Sequence, residues 1–275
     1  MSQAPHDAEQ LIGYVELWWQ AVDDLTTLLE QLPDEEWSTP TDLPGWDVKA
    51  VAAHAAHLES LLAGAPHHEV EIGEPDHVRS PMGAFTEQGV VARRDRSPDE
   101  LINEIRSSAT TRHTALLPDP PTDPTASAPG LFGMLGWSTE KLLRNRPLDI
   151  WMHEQDLRRA VGRPGNLDGP AGIHSADYLA ESLGFVVAKK VGAPAGTTVV
   201  LEIEGHAPYA CTVNDRGRGE QLPEPPVDPI VRLAMSRACF IELAGGRRAP
   251  ENDAVRIDGD ISLGQRIVAG LAVTP

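Results

Sequence analysis

The sequence predicts a helical bundle followed by a small α+β domain. Three observations carry this. Four long runs before residue 162 repeat apolar residues at three- and four-residue steps. All six tryptophans (Trp18, Trp19, Trp37, Trp46, Trp137 and Trp151) fall in the first 151 of 275 residues. Beyond about residue 191 the hydrophobic period changes to β-branched and alternating stretches. The boundary falls after Gly165, giving domains 1–165 and 166–275.

The first run spans 8–32, with Leu11, Ile12, Val15, Trp18, Val22, Leu25 and Leu29 on one stripe and no proline until Pro33. A Pro44-Gly45 turn follows, then a second run over 47–62 with Asp47 as its N-cap. Residues 64–88 read as a long loop carrying His67, His68 and His77. Ser97-Pro98-Asp99-Glu100 opens a third helix to about Leu117, with a capping serine and proline at its first position. The Pro- and Gly-rich stretch 118–137 reads as a second long loop. A fourth helix covers 139–161 and stops at Gly162. In the second domain a helix over 173–191 precedes strands at 197–204, 209–213 and 254–257, with a helical run over 229–243 between the later strands.

Lys plus Arg total 23 against 41 acidic residues, a net charge of −18, which is the wrong sign for a surface that neutralises phosphates. Nucleic acid and anionic membranes are therefore not expected as partners. The charge is uneven, −14 in 1–165 and −4 in 166–275. No stretch reaches the ~18–20 apolar residues of a membrane-spanning helix, and the start lacks a basic segment followed by an apolar one. Two cysteines, Cys211 and Cys239, make no disulfide framework and suit a reducing, cytoplasmic setting; both read as buried, inert thiols. With no CxxC, any metal must be held by histidine and carboxylate.

His54 and His57 lie three apart on the second helix. Asp149, His153 and Asp156 share one face of the fourth, being spaced by four and three. If those helices meet, two imidazoles and a carboxylate converge, a donor set that suits a divalent ion with a position open. Spacing alone leaves this beside the plainer reading of hydrogen-bonded core histidines. His57 is either a partner orienting a ligand or a solvent-facing residue, and Asp156 either a partner of His153 or an ion pair with Arg159. Trp46 and Trp151 adjoin the proposed helices; Trp18 and Trp151 read as core.

The segment Trp37-Ser-Thr-Pro-Thr-Asp-Leu-Pro-Gly-Trp46-Asp-Val-Lys-Ala-Val-Ala-Ala-His54, with Asp149-Ile-Trp-Met-His153-Glu-Gln-Asp156 and its continuation to Pro164, resembles the mycothiol-dependent maleylpyruvate isomerase family of DinB-like bundles. The likeness runs the length of the chain, since Ala244-Gly-Gly-Arg-Arg248 and Ile257-Asp-Gly-Asp260 resemble the end of that family's sterol-carrier-like second domain. The resemblance implies a four-helix bundle binding a metal, usually zinc, through His54, Asp149 and His153, with Asp149 where the best-known isomerases carry Glu. It further implies mycothiol as a thiol cosubstrate, added to and expelled from a conjugated double bond, or retained in an S-transfer. The second domain is expected to close over the metal cleft and to offer Arg247 or Arg248 to a substrate carboxylate. A non-catalytic metal- or ligand-binding protein and a metal-dependent hydrolase are the alternatives.

Overall fold

The computed structural model describes residues 3–249 and 254–274. It divides into two compact units, 1–165 and 166–275. The first unit is built on α1 (Gln3–Glu30), α2 (Val48–Leu62), α4 (Pro98–Leu116) and α6 (Thr139–Ala160). The apolar stripes face inward, burying Leu11, Trp18, Leu25 and Leu29 of α1, Val51 and Ala55 of α2, Leu101 and Ile105 of α4, and Ile150, Trp151 and Leu157 of α6. Helix α1 packs on α4 and α6, α2 packs on α4, and α2 meets α6 over a shorter stretch. Asp47 caps α2 by accepting the Ala50 N–H at 2.8 Å. Ser97 and Glu100 close a capping box at the start of α4.

The connections are more ordered than the sequence reading expected. Inside 64–88 lies the start of α3 (Pro81–Val91), capped by Ser80. Its glycines, Gly83 and Gly89, weaken the helical signal, yet Gly89 is required: a Cβ there would lie 2.1 Å from the His57 ring. The Pro-rich stretch holds the single turn α5 (Gly130–Met134), whose Phe132 packs with Ala128 and Leu142.

The second unit begins with α7 (Pro170–Ala180) and the short α8 (Leu183–Phe185), which runs into a π turn, Val186–Lys190. The strands β1 (Thr198–Ile203), β2 (Tyr209–Val213), β3 (Gly219–Gln221), β4 (Val231–Met235) and β5 (Val255–Gly259) form one sheet ordered β3-β2-β1-β4-β5. Among the described residues only β1 and β4 pair in parallel, with Val199 beside Val231 and Leu201 beside Leu233, all four buried. Such a parallel pair needs a crossover between its strands.

The run 229–243 is not one helix: β4 occupies its first half, alternating buried and half-buried, and Ser236 then caps α9 (Arg237–Ala244). An apolar run this short takes its form from its neighbours, and β4 is paired on both sides. The closing helix α10 (Ile261–Gly270) was not expected either. Its Gly264 lowers helix propensity but lets the helix approach the sheet, since a Cβ there would meet Ile257 at 2.3 Å.

Candidate metal centre

Where α2 meets α6, His54 faces Asp149 and His153. His54 Nε2 is 3.9 Å from Asp149 Oδ2, and His153 Nε2 is 3.8 Å from Asp149 Oδ1. The two imidazoles stand edge to face with centroids 4.7 Å apart. One ligand atom from each residue lies within 4.8 Å of the others, and among the described residues this is the one group of three or more His, Cys or acidic side chains so arranged. Both histidines are buried, while the Asp149 side chain is 25% exposed and so opens the site to solvent.

Gaps of 3.8–3.9 Å exceed hydrogen-bonding distance. Three polar groups thus converge without satisfying one another, a costly arrangement unless something lies between them. Two imidazole nitrogens and a carboxylate oxygen suit zinc and its neighbours, so the residues present fit a divalent ion. The electrostatics agree. Burial pushes the His54 pKa down, against the opposing pull of Asp149, which leaves the ring neutral with a lone pair to donate. Burial would raise the Asp149 carboxyl, but the Arg146 guanidinium and the two histidines hold it well below the usual carboxylate range.

Two of the three donors have a hydrogen-bonded support, whereas the buried His54 Nδ1 has no hydrogen-bond partner among the described residues. His153 Nδ1 lies 3.1 Å from the buried Asp156 carboxylate, the carboxylate–histidine pairing that fixes a ligand ring. Asp156 also pairs with Arg159, which reaches Asp42 at 2.8 Å, so both sequence readings of Asp156 hold at once. Asp149 Oδ2 accepts from Arg146 at 2.9 Å, and Arg146 in turn donates to Glu59 at 2.6 Å. Trp18 donates its indole N–H to the same Glu59 oxygen at 3.1 Å. Trp46 stacks obliquely on His54 at 5.1 Å and approaches His153 at 6.3 Å, walling one side. Its indole N–H donates to Glu87 of α3 at 2.9 Å, and His77 meets that carboxylate oxygen at 3.0 Å. Gly45, at φ +80°, leaves room for His77, whose ring a Cβ would meet at 2.3 Å.

His57 takes neither role expected of it. It is fully buried, with Nδ1 3.4 Å from Arg93 and its ring against His67 and Phe85, away from Asp149. Trp18 and Trp151 are core, as expected. Cys211 is buried on β2, and burial pushes its thiol up to about 11; Cys239 on α9 is half-buried rather than buried. Arg247, half-buried, donates to the Gly245 carbonyl at 2.6 Å and to Thr274 at 3.3 Å, and Arg248 beside it is exposed. Glu59, Arg146 and Glu87 were absent from the sequence reading.

Burial, then the charge of Arg93, lower the His57 pKa to about 3. Below its ordinary value near 6.5 the unfolded chain binds a proton that the folded chain refuses. Stability is therefore expected to fall as pH drops from about 6.5 toward 3, by up to about 1.4 kcal/mol per pH unit from this residue. Denaturant unfolding of the metal-free protein at pH 7, 5.5 and 4.5 checks the slope, and His57→Leu should flatten it.

A family profile described as mycothiol maleylpyruvate isomerase N-terminal domain matches residues 18–158, and one described as MDMPI C-terminal domain matches residues 174–266. Two curated proteins described as uncharacterized, from two strains of Mycobacterium tuberculosis, are 27% identical over 142 residues. That match takes in 51% of this chain and 53% of theirs, so the chain spans about half the length of these curated relatives. Crystal structures of the mycothiol-dependent maleylpyruvate isomerase and of a histidine-to-alanine mutant of it align with a TM-score of 0.58 at 19% identity, covering 90% of this chain and 92% of theirs. At that identity the likeness is one of fold. Among the described residues no helix is long and apolar enough to cross a membrane.

Proposed function

Because the chain belongs to the mycothiol maleylpyruvate isomerase family, we propose that it is a zinc-dependent enzyme that uses mycothiol to isomerise, or to transfer sulfur onto, a small electrophile. The observation that carries this is the convergence of His54, Asp149 and His153 at distances none of them can close by hydrogen bonding. A zinc ion there would act as a Lewis acid that holds a thiol's sulfur as thiolate near neutral pH.

The chain's own residues supply the rest. His54 presents a neutral nitrogen, Asp149 gives the one anionic donor, and Asp156 keeps the ring of His153, the third donor, from rotating. Trp46 keeps water from one side and offers an apolar wall beside the ligands. Cys211 does not supply the sulfur, since burial keeps it a thiol at neutral pH. Arg247 and Arg248 are the proposed contacts for a substrate carboxylate.

The test is a turnover assay on zinc-loaded protein with maleylpyruvate, with and without mycothiol. Conversion that requires both zinc and mycothiol is expected. Arg247→Ala is expected to raise KM roughly 10–100-fold, the worth of a charge-assisted pair. Conversion of maleylpyruvate at equal rates without the thiol would contradict the proposal.

A further inference from the structure

Behind the three donors, the bundle interior holds a charge pair that packing alone does not explain. Glu59 of α2 has no exposed surface and Arg146 of α6 has 1%. Both sit on helix faces otherwise lined by Ala55, Leu142, Leu143 and Ile150. A pair buried this deeply is often no more stabilising than apolar residues of the same volume. Arg146 also places a positive charge against Asp149, at 2.9 Å from Oδ2, where it repels any cation that Asp149 would hold.

The geometry points to Arg146 as a positioning residue for the metal ligand Asp149, clamped in place by Glu59; this rests on the metal reading above. One guanidinium nitrogen takes Asp149 Oδ2 and the other takes Glu59 at 2.6 Å, so the carboxylate is fixed between α2 and α6 with Oδ1 left toward His153. Trp18 donates to the same Glu59 oxygen that Arg146 holds. The chain of contacts Trp18–Glu59–Arg146–Asp149 thus ties three helices to a single oxygen atom. Asp149 has one rotatable bond fewer than Glu and a quarter of its side chain in solvent. Held this way, it offers one oxygen to an ion and keeps the other engaged with the protein.

Two effects of Arg146 oppose each other, which makes the inference testable. Its charge alone weakens metal binding, so removing it would tighten binding. Its grip on Asp149 strengthens binding, since loss of such an outer partner typically costs 10–100-fold in affinity.

The double variant Glu59→Gln/Arg146→Met removes both buried charges at similar volume and is expected to melt at or above the temperature of the unmodified, metal-free protein. Its zinc Kd, by competition with a chromophoric chelator, is expected to rise roughly 10–100-fold. Arg146→Lys, whose single ammonium cannot bridge two carboxylates as a planar fork does, is expected to fall short of full affinity. A double variant that binds zinc as tightly as the unmodified protein, or more tightly, overturns the inference while leaving the metal reading intact. So does an affinity loss only in proportion to lost stability. Absence of zinc uptake by the unmodified protein overturns both.

Discussion

Replacing His153 or His54 with Ala is expected to abolish thermal protection by zinc. Each imidazole is one of three protein donors, and losing even an outer partner costs 10–100-fold in metal affinity, so losing a donor should raise the zinc Kd by at least about 100-fold. An ion bound only by the folded state stabilises it by RT ln(1 + [L]/Kd), so at zinc concentrations near 100 times the unmodified Kd most of about 2.7 kcal/mol of stabilisation should vanish. The metal-free melting temperature should change little by comparison. The Nε2 atoms of both rings lie 3.8–3.9 Å from Asp149, too far for a hydrogen bond that their loss would break. Thermal unfolding of the three proteins with and without zinc checks this, and equal protection in all three would remove these histidines from the site.

The second large effect is Glu59→Ala, expected to destabilise the first unit by about 3–5 kcal/mol. The variant leaves the Arg146 guanidinium, 1% exposed, with only the part-exposed Asp149 as counter-charge and strips the Trp18 indole of its acceptor. Breaking a buried pair from one side costs far more than replacing both partners, because the remaining charge is stranded in a low-dielectric interior. Urea unfolding measures it. The contrast with Glu59→Gln/Arg146→Met, which removes both charges together, separates a stranded charge from loss of packing. A drop below about 1 kcal/mol would mean that water reaches Arg146 when Glu59 is gone.

The bundle was legible because its four long helices announce themselves. Leu11 through Leu29 keep one apolar stripe over about five turns, and Asp47 and Ser97 mark their helix starts by the capping bonds they make. The candidate metal cluster was legible for a different reason. Asp149 and His153 share a face by their four-residue spacing, whereas His54 was brought to them by family resemblance and not by spacing. Glu59 and Arg146 escaped notice although each interrupts an apolar helix face, and an ionised residue inside such a stripe signals a buried partner. Glu87 gave no comparable signal, since its bond to Trp46 spans 41 residues and depends on how α3 folds back. The second unit was harder because pairing decides its form. The stretch Val231–Met235 reads equally as helix or strand until β1 and β5 flank it.

The central claim is that His54, Asp149 and His153 hold a zinc ion that takes its fourth ligand from a small thiol. Zinc K-edge X-ray absorption on zinc-loaded protein, before and after adding mycothiol, tests this most directly. The expected spectrum starts with nitrogen and oxygen ligands only, at about 2.0–2.2 Å, and gains one sulfur at about 2.3 Å with the thiol. A first shell that keeps only nitrogen and oxygen at saturating mycothiol would contradict the account.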